Sequence, residues 1–194
     1  MKYFKVSHEG EDGKFIDGDV SFQPKISGYY QNGKNLLPKG GEVFVVLDKS
    51  IKHTDTDLFM TSVGAFFISK KLKKIIENFQ CDLDFVKAEV SYHDGSPLSQ
   101  EYYLMHAVQR IDCFDYIESE YSGKSLVLTR IQKNELQNDY QVRGVKKLII
   151  DESRVDCKGI FFIGGVIWLD PIASELLVSE IQKNNLNVRF EVVS

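Results

Sequence analysis

The stretch Phe66-Phe67-Ile68-Ser69-Lys70-Lys71-Leu72-Lys73-Lys74-Ile75-Ile76-Glu77-Asn78-Phe79 decides the fold. Phe67-Ile68 reads as the end of a strand, and Ser69 behind it is a good N-cap for a helix. Leu72, Ile75, Ile76 and Phe79 then fall at i, i+3, i+4 and i+7, which predicts one apolar stripe, with Lys70, Lys71, Lys73 and Lys74 on a solvated face. A second strand should follow, burying Leu83, Phe85, Ala88 and Val90, and should end in a turn around His93 to Pro97.

Working outward, the same pattern returns near the other end. Trp168-Leu169 leads to Asp170-Pro171, read as N-cap and first helical residue of a helix reaching about Asn184, with Asn185 as its stop. Asn187 to Val193 reads as a closing strand. Each unit is strand, cap, helix, strand; the cap-to-Phe distance is 16 residues in the first (69 to 85) and 20 in the second (170 to 190). Between and before these units the chain reads as further strands: Tyr3 to Val6, Phe15 to Phe22, Val43 to Leu47, Tyr102 to Ile111, Ser125 to Ile131, Val142 to Ile150 and Ile160 to Ile163. The expected fold is α+β, mostly antiparallel strands with two principal helices, suggesting two related strand-helix-strand lobes. Residues 1–194 are read as one domain with a strand-rich part at 1–60.

Composition bounds the function. With 194 residues, 43% hydrophobic and 27% charged, the chain is an ordinary globular one, long enough to bury about 70% of its unfolded surface. Its formal charge of −4 is opposite in sign to a nucleic-acid binder's footprint. Cys81, Cys113 and Cys157 form no Cys-x-x-Cys pair and read as buried or partly buried thiols in a reducing cytosol. The segment from Met1 to Lys14 lacks the apolar run of a signal peptide, and no run approaches membrane-spanning length, so a cytoplasmic protein is expected.

Catalytic patterns are weak throughout. His8, His53, His93 and His106 are scattered without metal-ligand spacing. The acid-rich stretch Glu9 to Asp19 does not fit an EF-hand and reads as a solvated loop. His93-Asp94-Gly95-Ser96 lacks a nucleophile elbow, and neither Gly40-Gly41 nor Gly164-Gly165 begins a phosphate-binding loop. No cofactor and no metal are called for.

Three segments in order resemble immunity protein 11 of bacterial polymorphic toxin systems. Phe66 to Lys73 is similar to the family's apolar-Ser-x-x-Leu lead into its first helix. Tyr102-Tyr103-Leu104-Met105, with Val108, Ile111-Asp112-Cys113-Phe114-Asp115 and Ser119, is similar to "YYLLNV…VDxxD…S". Leu148-Ile149-Ile150-Asp151-Glu152-Ser153, with Ile160-Phe161 and the closing strand, is similar to "LVLDES…IF…GxxF". Residues 61–194 thus form the family-like part. His106 stands where the family usually has Asn, and Asp170-Pro171 replaces a Ser-led cap.

The resemblance implies a non-catalytic inhibitor that binds a cognate toxin domain. Asp112, Asp115, Ser119 and Asp151 then read as capping and turn residues. Partner-binding candidates are the acids Glu11, Asp12, Asp55, Asp57, Glu118 and Glu120, because a nuclease groove is basic and carboxylates can imitate phosphates. The rival expectation is a small enzyme or ligand-binding domain built around His106, Asp112 and Asp115.

Overall fold

Ser69 caps its helix as the spacing demands. Its backbone is extended and its Oγ accepts the Leu72 amide at 3.2 Å. Around this point a computed structural model describes residues 1–7, 16–26, 29, 40–137 and 140–193. In chain order the elements are β1 (Tyr3–Ser7), β2 (Gly18–Gln23), β3 (Glu42–Leu47), β4 (Leu58–Met60), β5 (Phe66–Ser69), α1 (Lys70–Ile76), β6 (Leu83–Ser91), β7 (Tyr102–Ala107), α2 (Lys124–Gln132), β8 (Ile160–Phe161), β9 (Ile172–Ser174), α3 (Glu175–Lys183) and β10 (Arg189–Val193). They form a six-stranded sheet of order β2-β3-β6-β7-β5-β4 and a four-stranded sheet of order β10-β1-β9-β8. Every strand pair is antiparallel except β3 with β6. The α+β reading stands.

Period-two alternation gives each sheet two buried faces. In the six-stranded sheet Leu58, Phe66, Ile68 and Met105 face α1, packing on Leu72 and Ile76. Phe59, Phe67, Tyr102 and Leu104 face the other way, against Val43, Val45, Leu47 and Tyr29. The four-stranded sheet repeats this. Val6 and Ala173 join Leu177, Val178 and Ile181 of α3 in the same cluster as α1, while Tyr3, Phe161 and Ile172 pack outward on Cys113, Phe114 and Val127. The shared cluster is the seam between the two units, and α1 and α3 touch across it.

The second helix begins four residues later than the sequence suggests. Pro171 does not open it; the Pro171 carbonyl accepts the Val6 amide at 2.9 Å, and Ile172–Ser174 pair as a strand. The cap is Ser174, whose Oγ accepts the Leu177 amide at 3.3 Å. With that correction the cap-to-Phe distance is 174 to 190, or 16 residues, equal to 69 to 85. Asn185, with φ of 52°, ends the helix as expected.

The equivalence extends to the registers of the four strands that the two sheets share. Ser69 lies opposite Tyr102 and Phe85 opposite Met105; Ser174 lies opposite Tyr3 and Phe190 opposite Val6. Phe59 opposite Phe67 matches Phe161 opposite Ile172. Even the first helical amides agree: Lys70 donates to the Glu101 carbonyl at 2.9 Å, and Glu175 to the Lys2 carbonyl at 3.0 Å. The central strand of the second unit is thus β1, from the opposite end of the chain.

Three other expectations fail. Residues 125–131 form helix α2, not a strand, because Val127 is buried with Leu128 and Ile131 half-buried, a spacing of one helical turn. Gly123, with φ of 75°, makes the turn into it. Residues 142–150 form only isolated bridges, Val142 with Val166, Glu120 with Lys147 and Phe114 with Ile150. Gly144, with φ of 62°, breaks this stretch. Strand β7 also stops at Ala107, short of Ile111.

Candidate partner-binding surface

The second motif builds an outward-facing acidic turn. Asp115 Oδ1 accepts the amides of Ile117 at 2.8 Å and Glu118 at 2.9 Å, an Asp-led turn closed by its own side chain. Ser119 is fully buried, and its Oγ donates to the Ile149 carbonyl at 3.2 Å while accepting the Ile149 amide at 2.9 Å. Glu120 exchanges backbone hydrogen bonds with Lys147. Held at these points, the turn leaves Ile117, Glu118 and Glu120 exposed, Ile117 at 66%. Lys124 donates to the Ile117 carbonyl, which sets the start of α2, with exposed Leu126, beside the turn. Asp115, Ser119 and Asp151 serve as the turn and cap residues the sequence suggests; Asp151 Oδ1 accepts the Ser153 amide at 3.1 Å.

The N-terminal acids divide. Glu11 and Asp12 lie outside the described residues, as does Glu9. Asp55 is exposed, its Oδ1 3.4 Å from Asn187 Nδ2. Asp57 is turned inward, 6% exposed. One of its oxygens accepts from Ser69 Oγ and the other accepts the Asn187 amide at 2.8 Å. The sequence reading had no signal for this, since Asn187 is 130 residues away.

Asp57 marks the first of two crossings between the units. There the α3–β10 connection of one unit meets the lead-in to β4 of the other, and the Asp57 amide also donates to the Asn187 carbonyl at 3.1 Å. The second crossing is its counterpart, where the α1–β6 connection meets the lead-in to β8. It is held by sulfur. Cys81 Sγ lies 3.6 Å from Cys157 Sγ and accepts the Ile160 amide at 3.3 Å. A Cβ at Gly159 would overlap the Cys81 sulfur, so glycine is required there. All three cysteines are free thiols, Cys113 and Cys157 buried and Cys81 half-buried.

The rival triad does not assemble among the described residues. His106 is 3% exposed, its Nδ1 2.8 Å from the Tyr29 hydroxyl, and burial pushes its pKa below the usual histidine value. Asp115 is committed to its turn, and Asp112 is exposed beside Gly164. Among the described residues no hydrogen bond or ion pair joins the three. Among the described residues no three His, Cys, Asp or Glu side chains converge as a metal site, and no helix is long and apolar enough to cross a membrane.

The polar side chains of this α+β framework hold its turns and crossings, and the acidic turn from Ile117 to Glu120 stands outward. The chain belongs to the immunity protein family Imm11, whose model matches residues 22–194. That match begins well before Phe66, where the sequence motifs start. A search of curated protein sequences finds no match. Membership makes this a toxin-neutralising immunity protein in class and implies a cognate toxin protein as its partner.

Proposed function

We propose that the protein neutralises a toxin that acts in the cytosol on nucleic acid or a nucleotide, by covering the toxin's active site or substrate groove. The observation that supports this reading most is the turn from Ile117 to Glu120. A buried serine and an aspartate cap fix its backbone, so two carboxylates and an isoleucine stand outward with the backbone part of the ordering cost already met. Asp55 adds a third exposed carboxylate; Glu11 and Asp12 complete the proposed acidic set. Asp57 contributes through the crossing it closes. Lys124, Lys146 and Lys147 flank the turn, so the carboxylates act as a local pattern that sets register and not as one broad acidic field.

Titration of the cognate toxin domain tests the mode of action. Occlusion requires activity to fall linearly to zero near a one-to-one ratio when both concentrations exceed the dissociation constant. Protection at a ratio of about one to a hundred would mean turnover and overturn the reading. Glu118→Lys with Glu120→Lys should slow association and change its salt dependence while leaving the melting temperature unmoved.

A further inference from the structure

We propose that Cys81 and Cys157 form a thiol–disulfide exchange site for small-molecule disulfides, reached through the cleft at the second crossing. The two sulfurs are 76 positions apart in sequence and 3.6 Å apart in space. Cys81 lines an open cavity of about 390 Å³ whose wall also carries Gln80, Asp82, Gln109, Asp156 and Cys157, a polar mouth wide enough for a peptide-sized thiol. Cys157 is buried behind it, close to the Ile160 carbonyl at 3.4 Å and the Gly159 amide at 3.4 Å. Both cysteines line the cavity, Cys81 half-buried and Cys157 buried.

The hydrogen bonds assign the roles. Cys81 Sγ receives the Ile160 N–H at 3.3 Å, and the Cys157 S–H has both Cys81 Sγ at 3.6 Å and the Ile160 carbonyl at 3.4 Å as acceptors; turned to Cys81 it draws the Cys81 pKa down, and that bond together with burial pushes the Cys157 pKa up. The Cys81 thiolate attacks one sulfur of a disulfide RSSR, forming Cys81–S–S–R and releasing RS⁻. Cys157 then gives up its proton to the medium and its sulfur attacks the Cys81 sulfur, displacing the second RS⁻. The protein loses two electrons and one proton beyond the Cys81 thiolate, and RSSR becomes two thiol equivalents, RS⁻ and RSH. Closing the pair brings the sulfurs from 3.6 Å to about 2.0 Å. Gly159 matters here because any side chain would fill the space the Cys81 sulfur uses.

Oxidised glutathione is the probe. Treated wild-type protein should lose the mass of two hydrogens and yield a peptide pair linking Cys81 to Cys157. Cys157→Ser should stop at one glutathionyl group on Cys81, and Cys81→Ser should gain none. Should either variant fail to fold, the Cys81–Cys157 link in the wild type still tests the resolving step, and brief alkylation of native wild-type protein tests the attacking one: Cys81 should be labelled well ahead of Cys113, whose pKa burial pushes up to about 12. Labelling of Cys81 no faster than Cys113, or mixed disulfides that never resolve to the Cys81–Cys157 link, would overturn the proposal.

Discussion

The two crossings occupy equivalent places in the two units and are made of opposite chemistry. At one, a buried carboxylate, Asp57, holds a hydroxyl and a backbone amide; at the other, a glycine leaves room for two sulfurs. A buried carboxylate with matched donors fixes geometry strongly. Two thiols hold the same place more weakly and can change covalent state. The central strands differ in the same spirit. Leu104 faces Val86 in the first unit, where the equivalent pair in the second is Lys5 with Glu191, an ion pair at 2.8 Å. Equal backbone registers therefore do not require equal chemistry.

The equivalence is sharpest at the helices. Ile76 and Ile181 stand at matching positions, 1% and 2% exposed. Either replaced by Ala should lose about 2 to 5 kcal/mol of stability in a urea melt, through transfer and cavity terms, and the two losses should agree within about 1 kcal/mol. Clearly unequal losses would break the comparison. Next comes the crossing. Asp57→Ala should cost about 2 to 3 kcal/mol by leaving the Ser69 hydroxyl and Asn187 amide without their acceptor, and Cys81→Ala should cost less than that, measured the same way. Lys73 separates the helices further. Its ammonium lies 5.1 Å from the Tyr103 ring centroid and 5.4 Å from that of Phe85, so it is half-buried, not solvated like Lys71 and Lys74. Lys73→Ala should cost about 0.5 to 1 kcal/mol and Lys74→Ala close to nothing by thermal melt.

The smallest effect is electrostatic. Hydrogen bonds from Lys70 and Lys87, with their charges, hold the exposed Glu101 carboxyl down to about 2. In the unfolded chain this carboxyl returns to its ordinary value of 4.5, so the unfolded state binds the extra proton between these values. The contribution is therefore full above that ordinary value and fades as pH falls towards 2. A carboxyl titration by NMR should show the low midpoint in the wild type and a higher one in Lys70→Ala.

What could be read from the chain was local. Ser69 and the stripe from Leu72 to Ile76 fall within one helix and announce it; Asp115 and Ser119 sit in one turn. Ser174 offers the same apolar-Ser-x-x-Leu pattern, yet Asp170-Pro171 upstream gave the stronger helix-start signal and a three-residue strand carries too little alternation to compete. Helix α2 reads as a strand in the sequence because a run of Leu, Val and Ile suits either period when few of its residues are buried. The crossings were invisible, since Asp57 with Asn187 and Cys81 with Cys157 are joined only by the closing of the seam.

Strand β1 carries a further consequence for how the protein is made. It is synthesised first, but its two neighbours lie 171 residues away at Ser174 (174 minus 3) and 190 away at Val193 (193 minus 3). At about 5 to 20 residues per second a ribosome needs roughly ten to thirty seconds to deliver the first of these partners. The six-stranded sheet can assemble during that interval, while β1 waits unpaired and the seam stays open on one side. The second sheet thus closes only after β9 and β10 have emerged, so that a nascent chain interrupted before β9 would lack the side of the seam formed by Ala173, Leu177, Val178 and Ile181.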